Sequence, residues 1–530
     1  MWHPTGSRKW SLVLALAVGA SILQPTPSLS QGARQIVIAH PGPIYTMDAP
    51  VTWFISTHWL TMMLYDCLIW RKADLSGYVP QLAERWENVA PDRWRFFIRR
   101  NATFHNGEAI DAETIKWNID RVRTRTDFLV HPQWQFVKEV RIVDRYTIDV
   151  VTDGPKPYTE YDISFNGCNI LPPKYIAQVG EKEFARKPVG SGPFKLVEFK
   201  EGERYIFEAW DGYWGGRPQV DRVIYQVIPD QSTQVAALIA GQVDIIPNVP
   251  ITDRNRVSQT RGLKIVEGPS GFHHNLLARA RVDFGEMSKA YPGYKPATLD
   301  KRIRQAIFHA LDRNLLAKIQ GAAFPSLVRV NCKFPEVPQK YCGPKAASEV
   351  FNPDKAKRLI QQAGYDPAAG RKPLVYFDAP AFQLGNEKEV AEAIKVMLEA
   401  VGFDVRLNVL ELSAFTEQIT RKGTNRDLVL QPLGGSPSLV PLFYRCEWPK
   451  EKSTYYVCDR NWQKYGDAIT REMDPRKRLE YWQRWWEFFV DHASTISLYE
   501  VQRLYGMSAR VDWRPRADGW ITPRDARVRP

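Results

Sequence analysis

The chain has 530 residues, 44% of them hydrophobic, enough for two to four domains around a sizeable core. Its 72 Lys and Arg against 59 Asp and Glu give a formal net charge of +13, yet the basic residues are interleaved with acids, as in Arg471-Glu472 and Lys388-Glu389. No basic block or stripe marks a nucleic-acid face, so the surface reads as basic but mixed, and nucleic acid is set aside as a partner.

The first residues read as an export signal. Arg8 and Lys9 precede the apolar run Leu12–Ala20, which has signal-peptide length and is short for a bilayer span. Pro25 and Pro27 break it, and Ser28-Leu29-Ser30 presents small residues where a signal peptidase reads, so residues 1–30 are expected to be removed. No Cys stands at that junction, and a periplasmic protein without a lipid anchor is expected.

The strand Gln35–Ala39 then runs into a loop, His40–Asp48, broken by Pro41 and Pro43. Open α/β sheets place ligand contacts at the carboxyl ends of strands, which makes Tyr45, Thr46 and Met47 candidates. Trp53–Ile69 reads as one helix. From Asp74 to Arg186 the texture changes: a strand at Trp94–Ile98, an Asn106-Gly107 turn, a helix capped by Asp111 and a strand pair over Val140–Val151. This is an α+β insert of its own. Lys187–Trp214 follows, with three helix breakers in Gly190, Gly192 and Pro193, and then a hairpin. A stiff crossing of this kind suits a chain moving between lobes.

Strand Val223–Ile228, helix Ser232–Ala240 and strand Val243–Ile246 form an α/β unit. Gly262–Glu267 and Gly271–Ala278 read as two strands. A helix spans Leu299–Arg313, with Ile303, Ala306, Ile307, Ala310 and Leu311 on one face. Strands at Pro373–Phe377, Val405–Leu410 and Asp427–Leu430 alternate with helices at Lys388–Val401 and Ala414–Arg421. After a Trp-rich helix, Leu479–Phe489, whose Trp482, Trp485, Trp486 and Phe489 read as core, the strands Thr495–Tyr499 and Leu504–Ala509 must return to an existing sheet. The residues thus give two α/β lobes and one insert, in the order 31–73 lobe I, 74–186 insert, 187–278 lobe I, 279–494 lobe II and 495–530 back to lobe I.

Four motifs resemble one family. Leu82-Ala83-Glu84-Arg85-Trp86, followed by Trp94-Arg95-Phe96, Phe104-His105-Asn106-Gly107 and Trp117, is the most specific. The crossing Ser191-Gly192-Pro193-Phe194 with its aromatic close Trp210–Trp214 is the second. Ala237-Leu238-Ile239-Ala240-Gly241-Gln242-Val243-Asp244 is the third, and Asp300–Ile307 with Asp312-Arg313 is the fourth. Together they resemble the peptide/nickel class of solute-binding proteins of ABC importers, solute-binding family 5, over nearly all of the mature chain.

The resemblance implies an α/β, two-lobed periplasmic-binding-protein-like fold (class II, cluster C type) with an extra α+β insert. It also implies a monomer that holds a peptide or other small polar ligand between its lobes and passes it to an inner-membrane permease with its ATPase. Peptide binders of the family carry an acid after the second-lobe strand for the peptide amine, and dipeptide binders an Arg in a neighbouring loop. Here Leu430–Pro437 holds no acid and Ala379–Asn386 no Arg, which argues against an ordinary dipeptide.

Beside Tyr45–Met47, the candidate ligand contacts are Phe272, His273 and Asn275, Leu433, Gly434, Gly435 and Ser436, and Phe382. Gly434 and Gly435 would let backbone approach a ligand, or simply make a tight turn. His273 and His274 are adjacent on a strand, point to opposite faces and are not expected to share a metal. No catalytic motif stands out; a secreted hydrolase with a carboxylate pair such as Asp66 and Glu84 is the rival class, and no cofactor is expected. Cys332 with Cys342 and Cys446 with Cys458 bracket short loops and are expected to pair in an oxidising compartment. Cys67 and Cys168 remain, either bridged or as two buried thiols.

Overall fold

The structure is a computed structural model. It describes residues 34–51, 55–281, 286–321, 323–328, 332–334, 336–381, 386–434, 440–444, 446 and 459–529. The strands, in chain order, are β1 Gln35–His40, β2 Ile69–Arg71, β3 Tyr78–Pro80, β4 Ala83–Ala90, β5 Arg93–Ile98, β6 Val137–Asp144, β7 Thr147–Thr152, β8 Phe194–Lys200, β9 Arg204–Ala209 and β10 Arg222–Val227. They continue with β11 Ile245–Ile246, β12 Leu263–Ala278, β13 Ala323–Pro325, β14 Leu374–Pro380, β15 Asp404–Leu410, β16 Leu428–Gly434, β17 Thr495–Ser508, β18 Val511–Asp512 and β19 Arg527–Val528.

Among the described residues one sheet of eleven strands runs β15-β14-β16-β12-β17-β11-β1-β10-β9-β8, with β13 on β17. Its first half is parallel at β1, where Ile38 pairs with Tyr225 on one side and Ile245 on the other. Its second half is parallel at β14, between β15 and β16. Only the long antiparallel pair β12–β17 belongs to both. Each is one continuous strand, not the two separate strands the sequence suggests. The register slips between Pro269 and His273, a bulge in which Gly271 takes φ +79. A bulge bends and twists the ladder without ending it, which is why a Pro and Gly signal there does not mean a loop.

The insert is a separate four-stranded sheet, β4-β5-β7-β6. Strict alternation buries Trp94, Phe96 and Ile98 of β5 against the helix Ala112–Thr124, whose Ile115, Ile119 and Val122 face inward. Asp111 caps that helix by accepting from Thr114 N. In the second half the helix Lys301–Ala310 buries Ala306 with Ile303 and Ile307, the two Ile side chains each contributing about 1.5–3 kcal/mol of apolar burial. It ends sooner than its pattern suggests, because Asp312 caps a new helix, Arg313–Gln320.

The crossing at Lys187–Pro193 does not join the two halves. It returns the chain from the insert to the hairpin β8–β9 at the sheet edge, and it works as a clamp on the first helix. Gly192 N donates to Leu64 O at 2.8 Å, and Asp66 N donates to Ser191 Oγ at 3.1 Å. The helix therefore spans Ile55–Leu64 and stops well short of Ile69. A Cβ on Gly190 would fall 1.9 Å from Leu64 O and one on Gly192 2.7 Å from its carbonyl carbon, so both positions need Gly for close approach. A disulfide joins Cys67 to Cys168, closing the alternative left open in the sequence, and a second joins Cys332 to Cys342 as expected. Cys446 is disulfide-bonded, and Cys458 lies outside the described residues. No helix of the described residues is long and apolar enough to cross a membrane.

Candidate ligand site at the strand crossing

The sheet register brings five of the expected contacts together. Phe272 pairs with Gly434, His273 with Leu433 and Asn275 with Gln431 across β12 and β16. Gly434 is exposed, Phe272 half-buried, and His273 and Asn275 buried. Leu433 packs into a small apolar cluster with Leu277, Phe415, Ile419 and Val429. Phe382, Gly435 and Ser436 lie outside the described residues.

Tyr45, Thr46 and Met47 stand elsewhere. They follow β1, three places along the sheet from β12. Tyr45 is 67% exposed, whereas Met47 is buried, its N bonded to Ala185 O at 2.9 Å and its O to Tyr65 OH at 3.0 Å. Thr46 Oγ1 accepts from Asp48 N. Asp48 in turn pairs with Arg121 of the insert at 2.6 Å. This loop fastens the insert.

What the sequence reading missed is the chain end. Arg516–Trp520 seats directly on the bulge: a Cβ on Gly519 would come 2.4 Å from Ser270 O, and one on Gly271 2.9 Å from Asp518 O. Arg503 of β17 donates to Gly519 O at 3.1 Å. Trp520 stacks on His58 of the first helix, ring centres 5.0 Å apart, and on Phe165 of the insert at 6.2 Å. Between them lies the Arg71 guanidinium, 4.7 Å from the Phe165 ring, 5.0 Å from Trp520 and 5.4 Å from Tyr161. Its Nη2 is 3.4 Å from Asp518 Oδ2. The Tyr161 ring meets Phe334 of the second half at 6.2 Å. The Asp518-Gly519 dipeptide, whose Gly takes a positive φ in the structure, is a local turn signal that could have found this segment.

The site is charged and buried. Burial would raise Asp518, but Arg516 and Arg71 outweigh it and hold its carboxyl below the usual range. Burial, helped by the Arg71 charge, lowers His58 to about 4, so its ring is neutral. Among the described residues His58 Nε2, Trp59 Nε1 and Arg71 Nε are buried without a hydrogen-bond partner. Buried polar atoms normally find partners, so such a cluster points to water or ligand. On the same crossing, Glu500 pairs across from His273, and burial pushes its carboxyl up to about 7 against the pull of Lys333.

Glu500 makes a pH signature. Its proton leaves the unfolded chain near the ordinary value of 4.5 but leaves the folded chain only near 7. Stability therefore falls as pH rises through that window, by about 3 kcal/mol in all, and is level above it. Glu500→Gln is expected to remove that decline from a pH series of urea midpoints. An unchanged slope would mean another group titrates there.

The remaining polar residues of interest are accounted for by packing. His274 Nε2 lies 3.1 Å from Glu387 Oε1, both fully buried, on the face opposite His273. No group of three metal-ligating side chains occurs among the described residues. Asp66 is no free acid: Arg524, Tyr213 and Trp214 all bond its carboxylate, while Glu84 is exposed on β4. The Trp stripe of the helix Pro475–His492 is core.

Comparison with known proteins agrees with this architecture. The model of the bacterial extracellular solute-binding proteins, family 5, matches residues 77–448. The oligopeptide-binding protein AppA of Bacillus subtilis is 28% identical over 432 residues, covering 76% of this chain and 74% of its own. The dipeptide-binding protein of Escherichia coli is 24% identical over 512 residues, 91% and 92% of the two chains. The crystal structure of the ABC transporter substrate-binding protein CtaP of Listeria monocytogenes superposes with a TM-score of 0.78 at 19% identity, over 94% of this chain and 99% of that one. With the match spanning the insert, β12 and most of the second half, the chain belongs to the bacterial extracellular solute-binding proteins, family 5.

Proposed function

We propose that the protein captures a peptide or other small polar solute at the β12–β17 crossing, in the periplasm, and delivers it to an inner-membrane ABC permease and its ATPase. One observation carries this reading. Two α/β halves share a single sheet through two strands, and those strands are bent at one level, where the chain end, the first helix and the insert gather buried charge and aromatic rings. A bend there lets the halves separate, and a ligand that touches both halves only when they are together shifts the protein to the closed state. Arg71 with Asp518 and Glu500 near Lys333 offer partners of both signs, which suits a charged or zwitterionic solute. The names of the relatives, an oligopeptide and a dipeptide binder, support a peptide-like one.

The test is a thermal-shift screen of the mature protein against di- and oligopeptides, opines, sugars, organic acids and nickel. A true ligand at 100- to 1,000-fold its Kd is expected to stabilise by about 3–4 kcal/mol. Hydrolysis of a peptide or glycoside in the same panel, with no binder found, would overturn the reading in favour of a secreted hydrolase.

A further inference from the structure

The segment that follows β7 leaves the insert and enters the other half. Tyr158 and Tyr161 are 7% and 5% exposed and belong to the same apolar cluster as Ile303, Phe377 and Trp482 of the second half. The Tyr158 hydroxyl accepts from Trp482 Nε1 at 2.7 Å. Trp486 Nε1 donates to the Glu336 backbone oxygen at 3.1 Å, and the Arg478 guanidinium lies 5.3 Å from the Tyr158 ring centre. At the rim, Arg471 reaches back to Asp153, with Nη2 3.1 Å from Oδ2 and Nη1 3.1 Å from the backbone oxygen. Gly154, at φ +123, makes room: a Cβ there would lie 2.9 Å from Arg471 Nη1.

The same insert is fastened to the first half. The Cys67–Cys168 bridge, the Asp48–Arg121 pair and the bonds of His105 to Gly190 and Gly192 all tie it there. Residues 153–161 thus stay with one half by covalent connection while Tyr158 and Tyr161 are buried in the apolar cluster of the other. Any opening at the Pro269–His273 bend must draw Tyr158 out of the second half's apolar cluster and leave the buried Trp482 Nε1 without its hydrogen bond, a costly outcome.

We infer that residues 153–161 form a clasp that holds the two halves together before any ligand arrives, with Tyr158 as the catch and the Asp153–Arg471 pair as its outer contact. The clasp sets the fraction of protein that is already closed. It therefore scales the apparent affinity for every ligand alike, because affinity is diluted by the population that is competent to bind.

The test needs no ligand. Spin labels are placed through Val197→Cys on β8 and Val396→Cys on the helix Glu387–Ala400, positions 51% and 65% exposed on the two halves, and the inter-label distance distribution is measured on exhaustively dialysed protein. The parent is expected to show mainly the shorter, closed distance. Tyr158→Phe keeps the ring and removes the hydroxyl, and is expected to raise the open-to-closed ratio about tenfold. Asp153→Ala, at a partly exposed rim position that does not threaten folding, is expected to raise it in the same direction by less. Identical distributions in the parent and both variants overturn the clasp, whether they are all closed or all mixed.

Discussion

Replacing Asp66 by Ala is expected to cost about 3–5 kcal/mol of stability, read as a fall in the urea midpoint at unchanged slope. Asp66 has no exposed surface. Its carboxylate takes Arg524 Nη2 at 2.5 Å, Trp214 Nε1 at 2.8 Å and Tyr213 OH at 3.2 Å. Arg524 has a side chain only 7% exposed, and its proton is held more tightly than usual: burial opposes the charge, but Tyr213 and Asp66 outweigh it. Deleting the acid leaves a guanidinium that can neither lose its proton nor reach water. The network also joins three distant parts of the chain, the end of the first helix, the aromatic close of the crossing and the C-terminal segment. A loss under about 1 kcal/mol would mean that water reaches Arg524 and the pair behaves as a surface one.

That network also shows where sequence reading stops. Local patterns carry elements whose partners are near in sequence: the alternation of β5, the apolar face of Lys301–Ala310 and the Asp111 cap were legible because each is decided within a few residues. The end of the first helix was not, since Leu64 O is taken by Gly192, far along the chain, and no propensity near Leu64 records that. Continuity of β12 and β17 was hidden for a related reason. Pro269 and Gly271 look like breakers, and only the partner strand and the seated Asp518–Gly519 turn make them a bulge.

The arrangement of the candidate residues was legible only where neighbouring strands decide it. Phe272, His273, Asn275 and Gly434 were selected as contacts on two separate loops; the structure places them on β12 and β16, whose register brings them together. The rule that ligands sit at strand ends also selected Tyr45–Met47; in the structure Met47 of that loop bonds to Ala185 of the insert and Tyr65 of the first half. Arg71, His58 and Trp520 come from three remote segments and share no spacing that a sequence could display.

Loss of the two described disulfides is expected to separate in size. Closing a loop restricts the unfolded chain more the longer the loop, so the Cys67–Cys168 bridge, with a separation of 101, should contribute about 4.7 kcal/mol and the Cys332–Cys342 bridge, with a separation of 10, about 2.7. The variants are Cys67→Ala with Cys168→Ala, and Cys332→Ala with Cys342→Ala, compared by urea midpoint under non-reducing conditions. The longer bridge also ties the insert to the end of the first helix, beside the Ile170 N–Asp66 O bond of 2.9 Å. Its loss should therefore loosen the insert first, seen as faster amide exchange in β4–β7 before the large sheet changes. Equal losses in the two variants would mean that native packing around the sulfurs outweighs chain entropy. A larger loss for the long bridge without faster exchange in the insert would place its effect wholly in the unfolded chain.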